Sequence, residues 1–227
     1  PGAIDQGGAL MPARGTIAII DYGMGNLRSV QQALLKVADG CEVVVTADPQ
    51  TVMAAERVVF PGQGAMPDCM REIDVRGLRQ AIVTAARNKP FLGICLGLQM
   101  LFEHSEEGDA AGLGILPGRV RRFPAYGVGA DGTTEQRLKV PHMGWNRVHP
   151  TRPHPLWEGI EPGAFFYFVH SFHAEPTNPA NVAATSVYGE VFTCAVTQNN
   201  MFATQFHPEK SAASGLRLFR NFIHWRP

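Results

Sequence analysis

The stretch Phe91 to Phe102, "FLGICLGLQMLF", sets a narrow condition on any fold this chain adopts. Pro90 to Ile94 is a short apolar run bounded by proline and glycine, the pattern of a fully buried strand. Beyond it Leu98, Leu101 and Phe102 recur at three and four residues, which predicts one face of a helix. Cys95 therefore falls on the turn joining strand to helix. Gly93 and Gly97 flank it, so the backbone can turn sharply and neighbouring chain can approach without meeting a Cβ. This is the spacing of the G-x-S-x-G nucleophile elbow, with sulfur in place of oxygen. A thiol held there also sits at a helix N-terminus, which favours the thiolate. A small buried cysteine beside a tight turn would account for the same letters, because free cysteines are mostly core residues. The elbow means chemistry only if a base accompanies it.

From Thr16 the chain alternates strand-like and helix-like segments. "TIAIID", "CEVVVT" and "RVVFPG" are predicted strands; "NLRSVQQALLKVA", with Leu27, Val30, Leu34 and Val37 on one face, and "RGLRQAIVTAARN" are predicted helices. Such alternation predicts a parallel sheet with right-handed crossovers, and ligands gather at the carboxyl ends of its strands. Beyond Gly118 short strands follow, separated by Pro, Gly and Asn: "RVRRF", "RLKVPHMGWNRV", "AFFYFVHSF", "NVAATSVY", "VFTCAVTQ" and "MFATQFHP". A helix from Ser211 to Trp225 closes the chain. The expected fold is α/β, a single three-layer domain over residues 16–227, with a largely parallel central sheet, helices on both faces and antiparallel extensions in the C-terminal half. Residues 1–15, "PGAIDQGGALMPARG", lack periodicity and are expected to be an N-terminal extension or tag remnant.

At 227 residues, 45% hydrophobic, the chain can bury a sizeable core. Lys+Arg and Asp+Glu both number 20, so no basic excess points to nucleic acid or an anionic membrane. No apolar run approaches the roughly 20 residues that cross a bilayer. A cytoplasmic protein is expected. Cys41, Cys69, Cys95 and Cys194 form no C-x-x-C pair, which argues against zinc or a dense disulfide framework. No metal and no cofactor are expected.

The candidate base lies in "ATQFHPEKS", where a predicted strand ends at His207, Pro208 and Glu209. An imidazole there can meet the elbow at the top of the same sheet, and Pro208 stiffens the connection so that Glu209 can orient the ring. Alone, H-P-E is equally a turn leading into the last helix, with Glu209 near that helix's positive end. Together the two motifs converge on one edge. At this point the sequence resembles the class I glutamine amidotransferases, whose G-x-C-x-G elbow and H-P-E turn match here residue for residue. "DYGMGNLRSV", "FPGQGAMPDCM", "PHMGWN" and "YFVHSF" add a likeness to the glutaminase subunits of imidazole glycerol phosphate synthases, from about Ile17 to the C-terminus.

The resemblance implies that Cys95 attacks the side-chain amide of glutamine, that His207 shuttles the proton and that Glu209 holds its tautomer. It implies oxyanion donors from the Leu96 backbone and from Gly62, Gln63 and Gly64. Gln63 stands where valine is commoner, but the donor is backbone. It assigns the substrate's α-ammonium and α-carboxylate to Gln99, Glu107 and the Ser171-Phe172 backbone. Gln99 and Glu107 are otherwise polar helix or loop residues, and the aromatics of "AFFYFV" are strand core. It puts Met24, Asn26, Met143, Trp145, Asn146, Tyr167 and Lys210 around an opening toward a (β/α)8-barrel cyclase, with which the chain forms a heterodimer and which uses the ammonia in histidine biosynthesis. Competing expectations are another amidotransferase of the class, an inactive assembly subunit, and a cysteine hydrolase of unrelated substrate, since fold and triad do not fix a substrate.

Overall fold

Consecutive residues of the first strand send their side chains into two different apolar clusters: Ile17 and Ile19 into one, Ile20 into the other. A strand buried on both faces needs cover on both, and the chain supplies it. The computed structural model describes residues 15–128 and 135–227; the expected extension at 1–15 lies outside them except for Gly15.

In chain order the elements are β1 (Thr16–Ile20), α1 (Leu27–Leu35), β2 (Glu42–Thr46), α2 (Pro49–Ala54), β3 (Arg57–Gly62), α3 (Met66–Val75), α4 (Arg79–Asn88), β4 (Phe91–Cys95) and α5 (Leu96–Gln99). Then come β5 (Phe102–Ser105), β6 (Ala110–Ala111), β7 (Leu116–Arg122), β8 (Tyr126–Val128), β9 (Glu135–Arg137), β10 (His142–Pro150), β11 (Ala164–His170), β12 (Phe172–Pro176), β13 (Val182–Val187), β14 (Val191–Gln198), β15 (Met201–Thr204) and α6 (Ala212–His224). The main sheet runs β2-β1-β3-β4-β15-β14-β12-β7-β5-β6, with β13, β10 and β11 branching from β14. Its first five strands are parallel, as the alternation predicts. The C-terminal half adds antiparallel pairings. One cluster packs α1 and α6 on Ile19, Val59, Leu92, Ile94 and Phe202; the other packs α2, α3 and α4 on Ile20, Val58, Phe60, Phe91 and Ala203.

Three features differ from the sequence expectation. The helix after Cys95 is a single turn, and Phe102 already starts β5. Leu98, Met100, Leu101 and Phe102 are all fully buried, so the run has no solvent face, and spacing by threes and fours cannot tell a buried helix from a buried strand. The Met100, Leu101 and Phe102 carbonyls instead accept from Leu113, Leu116 and Gly114. "AFFYFVHSF" is two strands, β11 and β12, broken at Ser171. Finally, α2 and α3 were not anticipated. The first is capped by Asp48, which accepts from Gln50 N and Thr51 N, with Pro49 in the first helical turn. No helix among the described residues is long and apolar enough to cross a membrane.

Candidate active site

The elbow is made by close backbone packing. Cys95 adopts φ 56°, ψ −114°, a conformation that costs a non-glycine residue about 1–3 kcal/mol. Its surroundings hold it there. A Cβ on Gly97 would lie 1.9 Å from the Phe60 carbonyl oxygen, and one on Gly62 would lie 2.5 Å from Gly97 N. On Gly93 it would lie 2.9 Å from the Ala203 Cβ. Each glycine therefore lets β3, β4 and β15 approach the turn. Register puts Gly62 beside Cys95, and Ile94 beside Thr204. Three adjoining parallel strands thus end together, and at their ends stand the expected oxyanion segment, the Cys95 thiol and the His207 imidazole.

His207 Nδ1 is 2.7 Å from Glu209 Oε1, and their side chains are 7% and 2% exposed. The backbone of this turn is fixed from β11: His207 N donates to the Tyr167 carbonyl at 2.9 Å, Ser211 Oγ donates to the His207 carbonyl at 2.6 Å, and Tyr167 N donates to Ser211 Oγ at 3.0 Å. Ser211, expected only to start the last helix, ties the His207 backbone to β11. Burial by itself pushes the His207 imidazolium toward deprotonation. The neighbouring Cys95 sulfur and the Glu209 carboxylate outweigh this and raise its pKa to about 10. His207 Nε2 has no hydrogen-bond partner among the described residues, so its coupling to Cys95 is mainly one of charge. Such bonds often tighten only when substrate is present. The one-turn α5 offers little dipole, so the positive neighbour of the sulfur is His207 rather than a helix.

A pocket of about 260 Å³ is lined by Gln63, Gly64, Cys95, Leu96, Gln99, Glu107, Ser171, Phe172 and His207, with Pro141, Val169 and His170. It brings together the expected nucleophile Cys95, the expected base His207, most of the expected oxyanion residues and every expected substrate residue. Gly62 and Glu209 lie outside it, Gly62 beside Cys95 in the sheet and Glu209 bonded to His207. Gln99 Nε2 donates to the Phe172 carbonyl at 3.0 Å and to Gln205 Oε1 at 2.9 Å, which commits both amide hydrogens and leaves its oxygen to accept. Glu107 accepts from Met66 N at the start of α3, and burial raises its pKa. The Ser171 carbonyl accepts from Phe123 N, so both carbonyls of the Ser171-Phe172 pair are occupied. Cys69 Sγ donates to the Gln63 carbonyl at 3.5 Å, and the Met24 side chain packs against Gly64, which has φ 112°. Gln205 and His170 were not singled out in the sequence; alternation along β11 marks His170 only as inward-facing, and Gln205 directly follows β15, which is buried at every position.

Of the expected partner-facing residues, Met143 and Trp145 are 62% and 53% exposed. Trp145 meets Tyr167 edge to face across the β10–β11 ladder, and Lys210 Nζ lies 5.7 Å from the Tyr167 ring centre. Asn26 is exposed at the N-cap of α1, accepting from Ser29 N. Asn146 turns its amide inward to the Val187 carbonyl and to His142 Nε2.

Residues 18–225 match the glutamine amidotransferase class-I family. The HisH subunit of imidazole glycerol phosphate synthase from Aromatoleum aromaticum is 65% identical over 212 residues, covering 93% of this chain and 99% of that protein. The HisH subunit from Dechloromonas aromatica is 62% identical, covering 93% and 97%. Among solved structures, PurLQS from Thermotoga maritima superposes with a TM-score of 0.65 at 20% identity, covering 93% of this chain and 98% of that one. A glutamine amidotransferase from the same organism gives 0.59 at 16%, covering 88% of this chain and 79% of that one. The distant structures carry the fold alone, whereas the family match and the HisH identities run along nearly the whole described chain, elbow and H-P-E turn included. The chain belongs to the class-I glutamine amidotransferase family, among the HisH subunits of imidazole glycerol phosphate synthase.

Proposed function

We propose that this subunit hydrolyses glutamine to glutamate and ammonia through Cys95, His207 and Glu209, and delivers the ammonia in the cytoplasm to a (β/α)8-barrel cyclase. The observation that carries the reading is the pocket in which Cys95 and His207 share walls with Gln99 and Glu107. Glutamine's α-ammonium meets the Glu107 carboxylate and the Gln99 oxygen; its α-carboxylate takes the Ser171-Phe172 backbone N–H groups. The Cys95 thiolate adds to the side-chain carbonyl carbon, and the developing oxyanion takes backbone N–H bonds from Leu96 and the Gly62-Gln63-Gly64 segment. The imidazolium of His207 gives its proton to the leaving nitrogen. Ammonia departs and a γ-glutamyl thioester remains. His207, now neutral, takes a proton from water as the water attacks the thioester, and glutamate leaves with the thiolate and imidazolium restored. Glu209, bonded to Nδ1, keeps the ring in the tautomer this cycle needs.

Met143, Trp145, Tyr167, Asn146, Lys210, Met24 and Asn26 form the proposed face for the cyclase. Its support is the exposed aromatic ladder of β10 and β11 beside Lys210, and a narrow crevice in which Asn26 shares walls with Gln63, His207 and Glu209. In the partner, ammonia reacts with a ribulosyl phosphoribosyl intermediate to give imidazole glycerol phosphate and an aminoimidazole carboxamide ribotide. Glutaminase rate with and without the cyclase and its ligand tests the assignment. Strong stimulation by the ligand-bound cyclase is expected; no response to the cyclase, or stimulation by a different amidotransferase partner, would overturn it.

A further inference from the structure

From Gln99 in the pocket wall a series of polar side chains leads away from the substrate, and of these the reaction scheme gives no role to Gln205, His170 and His142. Gln205 is fully buried and its Nε2 is 3.8 Å from Cys95 Sγ. Its Oε1 accepts from Gln99 Nε2, and Gln99 Nε2 also donates to the Phe172 carbonyl. That carbonyl receives a second bond, at 2.8 Å, from His170 Nδ1. His170 Nε2 is 2.8 Å from His142 Nδ1, and His142 Nε2 is 3.2 Å from Asn146 Nδ2. Asn146 stands on β10 between the exposed Trp145 and Arg147.

The direction of every bond follows from one atom. A carbonyl oxygen only accepts, so Phe172 O requires a proton on His170 Nδ1 and an NH2 group on Gln99. Neutral His170 is then an acceptor at Nε2, so His142 Nδ1 must donate and His142 Nε2 must accept from Asn146. On the other arm the second Gln99 hydrogen needs the Gln205 oxygen, which leaves the Gln205 NH2 facing the sulfur. Burial holds the pKa of His142 down at about 4 and that of His170 well below its ordinary value, so both rings are neutral and the order is maintained. A neutral amide pointing its N–H at a buried sulfur gives the thiolate a donor and fixes where its lone pair points.

We propose that Gln205 is a positioning residue for the Cys95 thiolate, oriented through Gln99 by the Phe172 carbonyl, and that a second hydrogen-bonded arm, from Asn146 on the β10 face through His142 and His170, converges on that carbonyl and holds it in place. The inference rests on Cys95 as the nucleophile, which loss of glutaminase in Cys95→Ala tests separately. A shift of Asn146 on partner binding has a hydrogen-bonded route to the sulfur, by way of the Phe172 carbonyl, without passing through the substrate.

The test uses the heterodimer with its cyclase, glutamine kinetics, and the pH profile of Cys95 alkylation by iodoacetamide, read at the Cys95 peptide by mass spectrometry. Gln205→Leu removes the donor at similar volume; Gln205→Glu keeps the acceptor for Gln99 and places no amide donor at the sulfur. Both are expected to lower kcat roughly tenfold or more, with KM within about twofold, and to move the acid limb of alkylation to higher pH. His142→Leu, which touches neither substrate nor sulfur, is expected to move the same limb in the same direction by a smaller amount. If the leucine variant fails to assemble with the cyclase, the glutamate variant decides. An alkylation profile that stays in place in an assembled Gln205 variant, or a loss confined to KM, overturns the positioning role. An unmoved limb in His142→Leu overturns the link to the exposed face.

Discussion

Replacing Glu209 with Gln isolates what the carboxylate contributes to the base. The side chain keeps its size in a site 2% exposed, and the 2.7 Å contact to His207 Nδ1 can persist with a neutral acceptor. What is lost is the charge. A buried hydrogen bond to a charged group contributes about 1.5–3 kcal/mol, so kcat for glutamine hydrolysis should fall roughly 10- to 150-fold. KM should change little, because Glu209 lies outside the substrate pocket. The pH profile supplies the sign. His207 is raised from the ordinary 6.5 to about 10, so the imidazolium's contribution to the folded site is fully present below 6.5 and is lost as pH rises through about 10. Glu209 is among the groups that raise it, so the basic limb of kcat/KM should move to lower pH in Glu209→Gln. Removing the imidazole itself, by His207→Asn, should cost more, since general acid–base catalysis alone contributes ~10²–10⁴-fold. The assay is steady-state glutaminase in the ligand-bound heterodimer across pH. A basic limb left in place, or a loss equal to or larger than that of His207→Asn, would remove Glu209 from the triad.

Gly97→Ala should destabilise the fold severely, because its Cβ would sit 1.9 Å from the Phe60 carbonyl oxygen and no flexible side chain can yield; denaturant unfolding measures it, and wild-type stability would contradict the packing described. Trp145→Ala should weaken the cyclase complex by about 2 kcal/mol, roughly 30-fold in Kd, while leaving the unfolding midpoint of the free subunit nearly unchanged; calorimetric titration reads it, and an unchanged Kd refutes the anchor. Gly64→Ala places an L-residue at φ 112° beside the Met24 side chain. If the Gln63-Gly64 peptide reorients to complete the oxyanion site, the ratio of ligand-stimulated to basal glutaminase should drop, by up to ~10²–10³-fold, with cyclase binding retained; an unchanged ratio puts the switch elsewhere.

The parallel half of the sheet was legible because β1, β3 and β4 are short apolar runs between turn signals, and because "NLRSVQQALL" keeps a helical period that burial of Val30 and Leu34 preserves. The elbow was legible because its glycines answer a steric requirement that the sequence states outright. Periodicity failed after Cys95, where every apolar residue is buried and no solvent face remains to mark a helix. It missed α2 although Asp48-Pro49 is a cap followed by a first-turn proline, a signal of chemistry rather than of period. The proposed triad of Cys95, His207 and Glu209 is read from two short motifs. Gln205 and the His142–His170 pair could not, because their significance lies in who faces whom across β4, β10, β11 and β15, which no local pattern encodes.

The central claim is that the Cys95 sulfur carries the glutamyl group. It is tested most directly by assembling Cys95→Ala with the cyclase and measuring imidazole glycerol phosphate formation, first with glutamine and then with an ammonium salt as the only nitrogen source. The account predicts no synthesis from glutamine and full synthesis from ammonia, since the partner's chemistry is intact and only the supply is cut. Glutamine-dependent synthesis surviving in Cys95→Ala would contradict it.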